Sequence, residues 1–200
     1  MTDPYVDLDT GALQNLLGIT DPAELAQDEA ELSALRLIEL RAEPLPGAYD
    51  LDHLQDVHWF LFQDVYAWAG RLRTVTLGRR QMFCRPENLE STADGIFTDL
   101  ARDDHLRGRD VAAFLDGLTT LLARLNLLHP FREGNGRTQR AFLSQLATDA
   151  GYLLRWTAMD RDRNIAASRA AHDGDLGPLR AMLAPLVHPL DELPPGGPGS

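Results

Sequence analysis

From Val111 to Leu128 the chain sets Val111, Phe114, Leu115, Leu118, Leu122, Leu125 and Leu128 on one face of a 3.6-residue helix, with Asp110 placed to cap it. Pro130 then stops the pattern, because a proline disfavours helical geometry in the residue before it. A helix with one apolar face must bury that face against other elements, so the chain is constrained to a packed helical body. Other segments agree. Asp21, Pro22 and Glu24 form a helix start for a segment that runs to about Arg41 and stops before Pro44. A second helix starts near Asp52, with Leu54, Val57, Leu61, Val65 and Trp68 as its buried stripe and Gly70 as its stop. Leu89, Ile96, Phe97 and Leu100 mark a third. One from Asn135 to near Gly151, and two over residues 160–171 and 177–187, complete a mainly α chain. The exception is residues 72–77 (LRTVTL), whose alternation and β-branched content predict a short strand. Gly78 permits a turn, and residues 81–84 (QMFC) can return as a second strand. One hairpin alone is marginal, so this one has to lean on the helices or on a bound partner.

The 200 residues suffice for one well-cored domain, expected over residues 1–188, followed by a Pro/Gly-rich disordered tail over 189–200. Acidic residues outnumber basic ones by 30 to 19, a formal charge of -11. Such a surface repels phosphate backbones, so no direct nucleic-acid partner is expected. No apolar run approaches the roughly 20 residues that span a bilayer, and the N-terminus lacks the apolar core of a secretory signal. The single cysteine, Cys84, leaves no disulfide framework. The expectation is a cytoplasmic protein without a membrane partner.

The chemistry concentrates in residues 129–140, HPFREGNGRTQR. Gly134 and Gly136 flank a helix start, where glycine lets a ligand approach the backbone closely. The first turn of a helix offers unpaired N–H groups and partial positive charge, which together bind anions. Asn135 can add an amide donor, and Arg137 and Arg140, three apart, can clamp successive phosphates. Glu133 would repel phosphate unless a divalent cation lies between them, and Mg2+ is the natural choice. His129 then suits a general base that takes a proton from an attacking hydroxyl. Phe131 anchors the loop in the core. Competing motifs fail: there is no P-loop and no H-E-x-x-H. The calcium-loop start at Asp160 has Ile165 where glycine is needed and Ala171 where glutamate is needed. The remaining histidines, His53, His58, His105, His172 and His188, show no ligand spacing and read as surface or core.

This segment resembles the signature of Fic domains in the Fic/DOC family, H-x-F-x-[DE]-G-N-G-R-x-x-R, and meets it at His129, Phe131, Glu133, Gly134, Asn135, Gly136, Arg137 and Arg140. Residues 61–75 (LFQDVYAWAGRLRTV) resemble the region that precedes the family's flap hairpin. The resemblance implies a helical Fic fold with a β-hairpin flap over the active site. It implies a protein adenylyltransferase that moves AMP from ATP to a Ser, Thr or Tyr hydroxyl with release of pyrophosphate. By the same resemblance His129 is the base, and Glu133 holds Mg2+ between the α- and β-phosphates. Gly134, Asn135 and Gly136 position the α-phosphate, while Arg137 and Arg140 hold the β- and γ-phosphates. A flap of Arg79, Arg80, Gln81, Met82 and Phe83 would dock an extended target segment by strand addition. Doc-type relatives, which phosphorylate, carry alanine and lysine at the positions of Gly134 and Gly136, so the two glycines favour AMP transfer.

Many family members are restrained by a helix carrying [ST]-x-x-x-E-[GN], whose glutamate pairs with the arginine equivalent to Arg140. Thr20 to Glu24 is followed by Leu25, and Thr10 to Asn15 has Gln14 in place of glutamate. The resemblance then implies the toxin of a toxin–antitoxin pair, inhibited at Arg140 by a separate small antitoxin. It also points to a target protein such as a type II topoisomerase subunit. Two alternatives stay open: a Fic-type transferase with another nucleotide or phosphate-containing donor, and a non-catalytic nucleotide-binding module.

Overall fold

A computed structural model describes residues 3–78 and 83–192. The mainly helical expectation holds. Helix α1 covers Pro22–Ala42, and its Asp21 cap accepts from the Ala23 and Glu24 amides at 2.7 and 3.1 Å. Helix α2 covers Leu51–Phe62, capped by Asp50, whose carboxylate accepts from the His53 amide at 2.9 Å. Helices α3 (Leu89–Arg102), α4 (Val111–Leu128), α5 (Asn135–Asp149), α6 (Arg161–His172) and α7 (Gly177–Leu183) follow. Helix α4 is capped by Asp110, which accepts from the Ala113 amide at 2.8 Å.

The second helix is shorter than its apolar stripe. It ends at Phe62, and Val65 and Tyr66 stay buried in the turns beyond it. The Val65 carbonyl accepts from the Leu16 amide at 2.8 Å, so the stripe continues as packed loop rather than helix. Trp68 stacks on Tyr66 at 4.1 Å and meets Tyr5 edge-on at 5.3 Å.

The hairpin expectation needs correcting. Residues 72–78 and 83–85 form no regular strand, and residues 79–82, with most of the expected docking flap, lie outside the described residues. Side chains do here what a ladder does in a sheet. The Thr74 amide donates to the Tyr5 hydroxyl at 3.1 Å, and the Arg73 guanidinium donates to the carbonyls of Val75 and Cys84. The paired strands among the described residues are elsewhere, β1 at Tyr152–Leu154 and β2 at Val187–Pro189, antiparallel with Tyr152 opposite Pro189. Three residues each are too few for alternation to show in sequence. The order they impose carries through Glu192, so the expected tail over 189–200 starts too early; residues 193–200 lie outside the described residues.

The chain divides into two compact units, residues 1–98 with 128–142 and residues 99–127 with 143–200. The core of the first gathers Leu25 and Leu40 of α1, Val57, Leu61 and Phe62 of α2, Val65, Tyr66 and Ala69 from the turns, and Ala141 of α5. The second unit contains the sheet. There Tyr152 stacks on Phe114 at 4.0 Å, and Trp156 donates to Ser144 at 2.9 Å. Helix α4, with a mean hydropathy of 1.4 over its 18 residues, is long and apolar enough to cross a membrane, against the sequence expectation. It carries a polar side, however: Phe114, Leu118 and Leu125 are fully buried, while Asp116 and Thr120 are exposed. That two-sidedness is the habit of a core helix.

Candidate active site

Residues 129–140 all fall within the first unit, between the end of α4 and the first turns of α5. His129 takes φ 44°, a left-handed conformation that costs a non-glycine residue about 1–3 kcal/mol unless its surroundings fix it. Phe83 lies parallel to its imidazole, ring centroids 3.9 Å apart. Phe83 is thus the one residue of the expected flap whose position is described, and it is at the expected base.

The loop that follows is closed by Asn135. Its Oδ1 accepts from the Phe131 amide at 3.0 Å and its Nδ2 donates to the Phe131 carbonyl at 2.8 Å. The side chain expected to face a phosphate is therefore engaged in shaping the loop, 4% exposed. Phe131, 1% exposed, anchors the loop as expected. Gly134 has φ +78°, and a Cβ there would come within 2.4 Å of the Phe62 ring, so only glycine fits on both counts. Its carbonyl accepts from the Arg137 and Thr138 amides and from the Thr138 hydroxyl, which starts α5.

Glu133 is half exposed, at 46%, and its Oε1 accepts from the Gly134 amide at 2.9 Å. Among the described residues no group of three or more His, Cys, Asp or Glu side chains gathers to hold a metal unaided. A lone half-exposed carboxylate fits a cation whose other ligands are phosphate oxygens and water, as Mg2+ prefers.

The two arginines do not reach the same place. Arg137 turns towards α1, where Nη1 donates to Ser33 Oγ at 2.9 Å and Nη2 pairs with Glu29. It also lies over the Phe62 ring, 4.8 Å from the centroid. Glu29 is buried and accepts a second hydrogen bond from the Tyr66 hydroxyl. Burial, then that bond to Glu29, pushes the Tyr66 phenol above its ordinary range. Arg140 lies on the Gly136 side, its Nη1 3.3 Å from where a Cβ on Gly136 would stand. Burial, and after it the nearby Arg137 charge, holds Arg140 below the usual arginine value. A guanidinium stays protonated regardless, so this is a half-buried cation beside another cation, a place that favours an anion.

Sequence reasoning missed four residues. Glu29 and Ser33 lie four apart on the buried side of α1, and a carboxylate on that side was a legible signal. His58, read only as surface or core, is fully buried and joins two segments. Its Nδ1 accepts from the Gly70 amide at 2.8 Å, which leaves Nε2 to donate to the Glu133 carbonyl at 3.0 Å. The ring stacks on Phe131 at 3.9 Å. Burial drives its pKa down to about 3, with the Arg137 charge adding to the effect, so it is a neutral structural imidazole. The fourth is Arg73, the largest fully buried side chain among the described residues.

A histidine, a glycine-framed helix start and a half-buried arginine within twelve residues of a helical body make a site suited to a phosphate-bearing ligand. The chain belongs to the Fic/DOC family, whose model matches residues 48–147. It is 41% identical over 182 residues to the protein adenylyltransferase VbhT of Bartonella schoenbuchensis, covering 90% of this chain and 38% of that one. It is 40% identical over 188 residues to the probable protein adenylyltransferase y4lH of Sinorhizobium fredii, covering 92% of this chain and 96% of that one. The chain thus spans well under half of the first relative and nearly all of the second. Among solved structures it resembles the N-terminal Fic domain of a Bartonella quintana effector with bound ADP, at a TM-score of 0.87 and 27% identity over 92% of this chain and 94% of that one.

Proposed function

We propose that this chain is a protein adenylyltransferase that transfers AMP from ATP to a Ser, Thr or Tyr hydroxyl of another protein. The observation that carries the reading is the loop itself. It puts His129, fixed in a left-handed turn and stacked under Phe83, immediately before a helix start bounded by Gly134 and Gly136 and flanked by Arg140. His129 takes the proton of the target hydroxyl as its oxygen bonds to the α-phosphorus. The bond from that phosphorus to the β-phosphate oxygen breaks, and pyrophosphate leaves. The first-turn amides of α5 and the Arg140 guanidinium hold the phosphate charge. Glu133 would hold Mg2+, which when bound offsets the negative charge of the phosphates. Arg137, paired with Glu29, keeps the start of α5 in place. The names of the relatives and the ADP bound to the similar structure support this reading.

Labelled ATP decides it. With label on the α-phosphate, a bacterial lysate protein acquires radioactivity, and His129→Ala abolishes it while the fold persists. Label arriving instead from GTP, CTP, UTP or the γ-position points to another donor or group, and binding without turnover to a non-catalytic module. The wider role follows as part of the proposal: a cytoplasmic toxin, acting without nucleic-acid or membrane contact, restrained by a separate small antitoxin at Arg140. A type II topoisomerase subunit is the target to try first. The [ST]-x-x-x-E-[GN] pattern does not occur within these 200 residues. Harmless expression of the active chain alone, with no inhibitor recovered, removes the toxin role.

A further inference from the structure

Arg73 is 2% exposed, yet its guanidinium ends among backbone carbonyls rather than at a carboxylate. Nε donates to the His129 carbonyl at 2.8 Å and Nη1 to the Val75 carbonyl at 2.7 Å. Nη2 donates to the Cys84 carbonyl and, at 3.4 Å, to that of Leu128. The Arg73 amide donates to the Pro130 carbonyl at 2.9 Å. These acceptors fall into two sets. Leu128, His129 and Pro130 are the end of α4 and the left-handed turn that carries the base. Val75 and Cys84 are the two legs of the segment expected to dock the target. A buried cation has to be solvated from within the protein, and four carbonyls do so here, those of Leu128 and His129 at the C-terminus of α4, where the helix dipole is negative, and those of Val75 and Cys84. Burial holds Arg73 below the usual arginine value without discharging it.

We infer that Arg73 is a positioning residue for His129, its one guanidinium fixing the histidine's backbone and both legs of the flap together, so that neither can be reset without the other. The inference rests on the proposed transferase reading for its consequence in turnover, and on geometry alone for the coupling. It gives the strained φ of His129 a cause: the carbonyls on both sides of that turn are held from one side chain. Phe83, one residue before Cys84, then stacks on the imidazole because the leg it stands on is anchored to the same guanidinium.

The test uses Arg73→Lys, which keeps the charge but cannot fork to both sets of carbonyls, together with Arg73→Met and Phe83→Ala. Amide hydrogen exchange is measured over residues 72–78, 83–85 and 128–131, alongside ADP affinity by calorimetry and AMP labelling of a bacterial lysate. Both Arg73 variants should raise exchange at least ten-fold in all three segments together, with Lys milder than Met. ADP affinity should stay within three-fold while labelling falls at least ten-fold, and Lys should restore part of it. Phe83→Ala should leave exchange at 128–131 within two-fold of the parent. The inference is overturned if exchange rises in only one set of segments. It is equally overturned if ADP affinity falls in step with labelling, or if Phe83→Ala frees the His129 turn as much as Arg73→Lys does. If Arg73→Met does not fold, Arg73→Lys and Phe83→Ala carry the same comparison. A parent that labels nothing while exchange couples as stated refutes the transferase reading and leaves the coupling standing.

Discussion

Glu29→Gln keeps the shape of a side chain that joins three elements, removes its charge and turns one of its two accepting oxygens into a donor, so that the bond to Tyr66 reverses. Glu29 accepts from Arg137 of α5 and from the Tyr66 hydroxyl, and its side chain is 7% exposed against 27% for Arg137. Hydrogen bonds to an ionised group contribute about 1.5–3 kcal/mol and neutral ones about 0.5–1.5, so each of the two bonds loses about 1 kcal/mol. The sum, about 2 kcal/mol, stays below the roughly 3–5 kcal/mol of breaking a fully buried pair, as the partial exposure of Arg137 requires. For a chain of this size that lowers Tm by about 4–8 °C. Thermal melts at pH 7.5 of Glu29→Gln, Arg137→Gln and the double variant give the coupling directly, and it should exceed about 1 kcal/mol. A Glu29→Gln melt within 1 °C of the parent, or strictly additive variants, would show that the pair does not hold α1 to α5 and that the reasoning is wrong.

Gly134→Ala should destabilise by at least about 2 kcal/mol, from left-handed strain plus a methyl forced against Phe62, and urea denaturation reads it. His58 sets a pH dependence. Its folded pKa, about 3, lies below the unfolded value near 6.5, so the unfolded chain binds more protons between them. Its contribution is complete above pH 6.5 and is lost as pH falls, at up to about 1.4 kcal/mol per unit. Urea denaturation at pH 7.5, 6 and 5 should show this slope in the parent and a flatter one in His58→Gln, and equal slopes refute the assignment. Glu133→Gln should weaken the Mg2+ dependence of AMP labelling without lowering Tm by more than about 2 °C, since its side chain is 46% exposed.

The helices were legible where a cap or an apolar stripe marked them. Asp21 before Pro22 and Asp110 before the α4 stripe announce themselves, because capping and periodicity are local. The stripe through Val65 and Trp68 misled, since burial at helical spacing continues in packed turns that make no helical ladder. The loop over 129–140 was legible as chemistry but not as geometry. Spacing put Arg137 and Arg140 on one helix side, whereas a carboxylate about a hundred positions earlier decides where Arg137 turns. Residues 72–77 read as strand because their composition suits an extended backbone, but the chain bends at Thr74 and Val75. Whether an extended segment joins a sheet depends on its partner, and here Arg73 and Tyr5 supply the contacts.

The His58 ring has a consequence for portability. One imidazole, bonded at Nδ1 to Gly70 and at Nε2 to Glu133, sets by its own width the gap between the turn after α2 and the loop that carries the chemistry. A designer who grafts residues 129–140 onto another helical scaffold transfers the reactive groups without that spacer. Such a graft should bind phosphate weakly and align nothing, unless a rigid two-ended ring and an opposing amide are built in with it.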